Sequence, residues 1–381
     1  MASAIGVTTV GAVALLGPAP AAVASSSGVY QWGYDGAVHL APSLVQNLPS
    51  DIVAVQAGNW GGMALDGSGH VWDWGRNPLG ELGVGNHASS PNRAVEAQGP
   101  SNVVSIGEGN NFAAAVDSSG DLWVWGWNKD SQICLPYSGN NGHHEVKRPI
   151  EITGLGAKAV SGGGHHLIIL LSNGTVDTCG LNAYGELGNG TFKSSSKPTQ
   201  VIGLTNVVSV SSGNLISEAL EANGSVWTWG YDRFGQLGIG STLSEDIPQQ
   251  VRLPGPATQI YAGGDYPSDG HMLAMLSGGQ VEAWGNDVYG QLGDGAVGGM
   301  SSTPVEVHVP AGVTFSYVAA GGADSFAIDT TGRLWAWGGR FGNLGDGTMD
   351  GFLSTPEQIG SGFSLLSATS DLALAYAPGS P

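Results

Sequence analysis

The sequence predicts an all-β chain, folded as a seven-bladed β-propeller of four-stranded antiparallel blades. Its ring is expected to close through N- and C-terminal strands that share one blade. Three observations predict this. A tryptophan-bearing phrase recurs seven times, its tryptophans keep a two-residue spacing, and each end of the chain supplies half of one repeat. The phrase reads VYQWG (29–33), VWDWG (71–75), LWVWG (122–126), VDTCG (176–180), VWTWG (226–230), VEAWG (281–285) and LWAWG (334–338). Its closing glycines, 33, 75, 126, 180, 230, 285 and 338, lie 42 to 55 residues apart, a period that fits a propeller blade and is too long for leucine-rich repeats. Ten of the 12 tryptophans fall in two columns of the phrase, two positions apart, so both rings of a pair such as Trp72 and Trp74 lie on one face of a strand.

The other strands follow in order around that phrase. Ahead of it comes an apolar run ending in glycine: IVAVQAG (52–58), VVSIGEG (103–109), KAVSGG (158–163), VVSVSSG (207–213), QIYAGG (259–264) or SYVAAGG (316–322). A second short run such as MALD (63–66) or FAID (326–329) follows, and then a polar turn such as DGSG (66–69), where glycine supplies the positive φ that tight hairpins need. After the phrase stands a Gly-x-Leu-Gly step (80–83, 185–188, 235–238, 290–293, 342–345). A Pro-flanked segment such as PQQVRLP (248–254) reads as the outer, edge strand. The tail 363–376 supplies two strands and stops, whereas the segment 28–48 begins with the third. Together they make the closing blade. One such sheet cannot bury both its faces, and radial stacking of seven does so.

Composition bounds the partners. Among 381 residues there are 64 Gly, 12 Lys+Arg and 31 Asp+Glu, for a net charge of −19. Nucleic acid and anionic membranes call for clustered Lys and Arg, so neither is an expected partner. No run of 18 apolar residues interrupts the body of the chain, so membrane insertion is not expected either. Residues 5–17 form an apolar stretch followed by Ala22-Val23-Ala24, a small-x-small pattern. This reads as a signal peptide over 1–24, cut near Ala24, with 25–381 a single secreted propeller domain. Its first Lys or Arg is Arg76, so the leader lacks the usual basic start.

The repeated arrangement V-x-x-small-G, then G-x-V/L-W-x-W-G, then G-Q-L-G-x-G, resembles the repeat of the regulator of chromosome condensation family over essentially the whole chain from residue 28. It departs at GAVHLA (36–41), at SQIC (131–134), and at Cys179, which stands in a tryptophan column. The resemblance implies a propeller, and implies guanine-nucleotide exchange on a small GTPase as an alternative function. Secreted inhibition of an exported enzyme and light sensing also occur on this architecture. Fold alone does not choose among them.

The loops between first and second strands vary from repeat to repeat, and variable loops on a rigid ring suit recognition of a partner protein. Trp60, Asn111, Phe112, His166, Asp265, Tyr266, His271 and Asp324 are the candidate partner-binding residues. Trp60 and Phe112 read equally well as plugs of the ring's mouth. His166 and His271 read better as histidines bonded to their surroundings. No catalytic residue, metal site or cofactor is expected, and a monomer is expected. The G-x-G-x-x-G at 293–298 is the repeat's own turn, since it neither follows a Rossmann strand nor opens a helix. Export would permit a disulfide between Cys134 and Cys179, but the separation of a loop from a strand argues against it.

Overall fold

The computed structural model describes residues 22–23, 26–34, 38–136, 144–264, 270–339, 343–349, 351–370 and 372–379. Among them every regular element is a strand, in seven sheets. Blade 1 is the closing blade: Leu365–Ala368, Leu372–Ala377, Gly28–Tyr34 and Val38–Leu44, in that spatial order. Blade 2 runs Ile52–Gly58, Gly61–Asp66, Val71–Gly75, Ser90–Glu96. Blades 3 to 7 follow within residues 103–152, 157–200, 207–250, 257–306 and 315–361. Their first strands pack one against the next around the axis, and that of blade 7 meets that of blade 1, so the ring is closed. The expected two-plus-two closure is therefore the observed one. One addition was not foreseen: Ala22–Val23 pairs in parallel with Gly360–Ser361 at the edge of blade 7. The remainder of the expected leader lies outside the described residues.

Every third strand slips register against its outer neighbour at the second tryptophan column, between residues such as Val124 and Gly126 or Thr228 and Gly230. The closing glycine of the phrase explains the slip. It has positive φ in all seven blades, from 76° at Gly338 to 118° at Gly75. A Cβ there would lie 2.3 Å from the Trp60 carbonyl at Gly75, and 2.5 Å from that of His165 at Gly180. Only glycine provides both the turn and the close approach.

Six tryptophans of this column, Trp32, Trp74, Trp125, Trp229, Trp284 and Trp337, are fully buried. Each removes roughly 4–6 kcal/mol worth of apolar surface from water. Where the Gly-x-Leu-Gly step precedes, the indole also donates across the blade boundary to its second residue. Trp125 reaches the carbonyl of Glu81 (2.7 Å), Trp229 that of Glu186 (2.8 Å), Trp284 that of Gln236 (3.0 Å) and Trp337 that of Gln291 (3.0 Å). The step's last glycine lies beneath that ring, leaving no room for a side chain: a Cβ on Gly293 would be 2.7 Å from Trp337 Nε1. The other column is tied to the hairpin turn of its own blade, as Trp72 to Asp66 (3.0 Å), Trp123 to Asp117 (2.9 Å) and Trp335 to Asp329 (3.1 Å).

The expectation for the cysteines is corrected. Cys134 and Cys179 form a disulfide, with Cα atoms 5.3 Å apart. Cys134 ends the SQIC step and Cys179 holds the tryptophan column of the next blade, so they occupy the places that glycine and tryptophan hold elsewhere. The Cys179 sulfur even lies 3.7 Å from the Gln132 carbonyl, the counterpart of the indole's acceptor. Loop and strand are distant along the chain but adjacent across the blade boundary.

Candidate functional site

Two rims flank the ring. In an up-and-down blade the first-to-second loops and third-to-fourth connections share one rim. Hydrogen bonds from the residue after the closing glycine fix that rim in blades 2 to 7. Arg76 N donates to Trp60 O (3.1 Å), Trp127 N to Asn111 O (2.7 Å), Leu181 N to His165 O (2.8 Å), and Tyr231 N to Leu215 O (3.0 Å). The loops also knit to their neighbours, as Gly164 N does to Asn214 O (2.9 Å) and Gly264 N to Gly321 O (2.9 Å). A rim built this way loses little freedom on meeting a partner.

The structure divides the expected binding residues. Trp60 and Asn111 are half-buried at the rim. Phe112, His166, His271 and Asp324 are buried inside the blade packing, which corrects their expected contact with a partner, because a group without exposed surface cannot touch one. Asp265 and Tyr266 lie outside the described residues, as do Tyr137 and His143. Phe112 thus packs into the core between blades 3 and 4 rather than into the ring's mouth, whereas Trp60 stays at the rim. Both histidines do what a buried histidine usually does. His166 Nε2 lies 2.9 Å from Ser217 Oγ and His271 Nε2 2.7 Å from Ser325 Oγ. Those serines donate in turn to the carbonyls of Glu186 and Gln291 (both 2.8 Å), so each Nε2 carries the proton that its serine accepts. Burial, then the neighbouring His165, pulls His166 down to about 3, so it is uncharged.

The residues missed lie in the third-to-fourth connections. Leu243 is 72% exposed, Phe192 56% and Met349 52%, and Tyr184, Val297 and Phe352 are exposed beside them on blades 4 to 7. On the opposite rim Ile202, in the link between blades 4 and 5, is 51% exposed, whereas among the described residues no exposed large apolar side chain lies in a second-to-third turn. On blades 1 and 2, Tyr34 stands edge-on to Trp60 at 5.7 Å, and the Arg76 guanidinium lies 4.7 Å above the Trp60 ring. Trp127 meets His165 at 5.5 Å and Tyr184 meets Tyr231 at 4.8 Å in the same manner. Exposed apolar residues gathered in one class of loop mark contact surfaces, and Trp, Tyr and Arg dominate binding energy where it has been dissected. In sequence these loops follow a uniform Gly-x-Leu-Gly step, which draws attention away from them.

The axis holds a cavity of about 210 Å³ lined mainly by glycine, serine and asparagine, with Tyr261 reaching from blade 6 to Ser367 of blade 1 (2.8 Å). Asp117, Asp121 and Glu151 form the one group of three or more His, Cys, Asp or Glu donors, among the described residues, whose atoms lie within 4.8 Å of one another. Asp117 is already occupied by donors from Trp123, Ser119 and Asp121. No described helix is long and apolar enough to cross a membrane.

Comparison with known proteins names the repeat. Residues 173–220, 223–266 and 278–328 match the regulator of chromosome condensation (RCC1) repeat, and 103–132 and 157–186 match a second form of it. The chain carries RCC1 repeats. Among curated proteins, this RCC1-repeat propeller is 31% identical to the ultraviolet-B receptor UVR8 of Arabidopsis thaliana over 61% of its length and 52% of the receptor. It is 28% identical to the human E3 ubiquitin-protein ligase HERC2 over 76% of its length and 6% of the ligase. The chain therefore spans about half of the receptor and a small part of the ligase. Among solved structures, human WBSCR16 superposes with a TM-score of 0.81 at 19% identity, covering 93% of this chain and 99% of that one. Prp20p of Saccharomyces cerevisiae, whose binding to Gsp1p and histones accompanied its structure, gives 0.78 at 19% identity, covering 95% and 94%. At that identity the likeness is one of fold.

Proposed function

We propose that this RCC1-repeat propeller is a secreted, non-enzymatic binding protein that grips a partner protein with its loop-bearing rim. The observation that carries the reading is the gathering of exposed Leu243, Phe192, Met349 and the Tyr34–Trp60–Arg76 group on one rim of a ring whose loops are pinned by hydrogen bonds. The buried Cys134–Cys179 bond supports export, because disulfides persist in oxidising compartments. Inhibition of an exported enzyme is one form such binding takes.

The test is capture from culture medium and cell surface by the wild type and by a Phe192→Asp/Leu243→Asp/Trp60→Ala variant. Because Phe192 and Leu243 are exposed and Trp60 half-buried, the variant is expected to lose the partner while its stability changes by no more than about 1 kcal/mol. Undiminished capture by the variant would remove this rim from the reading. A second reading, nucleotide exchange on a small GTPase, draws on the likeness to Prp20p. Its sign would be recovery of a cytosolic GTPase and acceleration of nucleotide release.

A further inference from the structure

Aligning the blades by their strand register exposes two residues out of place. The position before the loop glycine is Ala57, Gly162, Ser212, Ala262, Ala320 or Ala368 in six blades, but Glu108 in blade 3. The centre of the tryptophan phrase is Gln31, Val124, Thr178, Thr228, Ala283 or Ala336 elsewhere, but Asp73 in blade 2. These two acids face each other across the boundary of blades 2 and 3. With Glu81 they line a small pocket whose other walls include Asn59, Trp60 and Arg76. Glu108 lies directly against Gly58, occupying the space a Cβ there would need. Asp73 Oδ2, Glu81 Oε1 and Glu108 Oε2 are all buried, and none has a hydrogen-bond donor. Asp73 is only 3% exposed. Glu81 Oε2 accepts from Leu79 N (2.8 Å), but three buried carboxyl oxygens in one pocket without donors leave a cost unmet within the chain.

We propose that this pocket beneath Trp60 receives a basic side chain, an arginine or a lysine, of the protein that docks on the rim. The inference rests on the rim reading and adds the chemistry of the contact. A guanidinium carries five donors in a planar fork and can serve separated carboxyl groups at once. A metal ion would draw its ligand atoms together, and these oxygens do not form such a set. The Trp60 ring already carries a guanidinium over one face, that of exposed Arg76. As found, the pocket has room for about 10 Å³, so the incoming cation takes its place as Arg76, on a long flexible stem, lifts away. The chain's net charge of −19 favours a basic partner at longer range.

The test uses the whole protein and a short acetylated arginine peptide, its citrulline counterpart, and calcium chloride alone, each titrated calorimetrically. The arginine peptide is expected to bind at least about tenfold more tightly than the citrulline peptide. Glu108→Ala, which installs the residue four other blades carry at this position, should weaken arginine binding by a similar factor without lowering the melting temperature. Arg76→Ala should tighten it. Equal binding of both peptides, no binding of either, or unchanged affinity in Glu108→Ala would overturn the proposal. So would carboxylate-dependent binding of calcium in place of the peptide. The two readings separate cleanly. If the Phe192/Leu243/Trp60 variant loses the captured partner while Glu108→Ala retains it, the rim stands and the pocket falls.

Discussion

Glu218 states the physics of single residues most plainly. It is fully buried on the second strand of blade 5, paired with Ser211 and Thr228, and neither carboxyl oxygen has a donor. The same register position holds Met63, Ala114, Ile168, Leu273, Phe326 or Leu374 in the other blades. Burial pushes the Glu218 carboxyl well above the usual range, and Glu186 and Asp232 rise to about 7 for the same reason. The sign follows from linkage. A carboxyl whose pKa is raised by folding contributes stability below its unfolded value near 4, and that contribution is lost as pH climbs through the folded value. Asp329 behaves oppositely. Burial alone would raise it, but donors from Thr331, Arg333 and Trp335 outweigh burial and hold it near 2, so its contribution disappears only in strong acid. The melting temperature is therefore expected to be higher at pH 5 than at pH 8. Glu218→Leu should stabilise the protein by about 1–3 kcal/mol at pH 8 and much less at pH 5. Calorimetry at the two pH values checks this, and equal gains at both would contradict a protonated Glu218.

At the scale of elements, the unit of cohesion is the contact between one blade's Gly-x-Leu-Gly step and the next blade's tryptophan. Five boundaries place an indole over the step's last glycine, and the boundary of blades 3 and 4 replaces both partners at once with the Cys134–Cys179 bond. The replacement makes sense only as a pair. Cys179→Trp alone would drive an indole into the Cys134 side chain, and Cys134→Gly alone would leave a buried thiol facing a void. Each single substitution is expected to cost about 2–5 kcal/mol by urea unfolding under oxidising conditions. The double substitution should recover much of that loss by rebuilding the clamp used elsewhere. Additive losses in the double variant would show that the two positions are independent.

The whole molecule depends on its closure. Blade 1 draws its first two strands from the C-terminal segment and its outer two from the N-terminal segment, and Trp32 packs edge-on to Phe326 of blade 7 at 5.5 Å. Deleting residues 363–381 removes half of that blade. The expected result is loss of the single cooperative melting transition and an enlarged hydrodynamic radius, since a repeat ring without its clasp leaves two sheet faces bare. Melting unchanged by the deletion would refute the clasp.

Blade number, strand order and closure were legible because they are written in intervals along the chain. The seven phrases, the two tryptophan columns and the split terminal repeat needed no coordinates. The proposed binding surface was only half legible. Trp60 was recognised, but Phe112, His166, His271 and Asp324 differ from it only in lying just inside the loop rather than on it. One residue of register in a strand exchanges solvent for core. The cysteine pair, the acid pocket and the apolar loops of blades 4 to 7 depend on which residue of one repeat faces which residue of the next. That pairing is set by how neighbouring sheets stack, a distance of some 45 residues for the two cysteines. The sequence alone determined the ring, because periodicity is a one-dimensional property. Only the tertiary structure decided what meets across each blade boundary and what is left facing water, because packing is not.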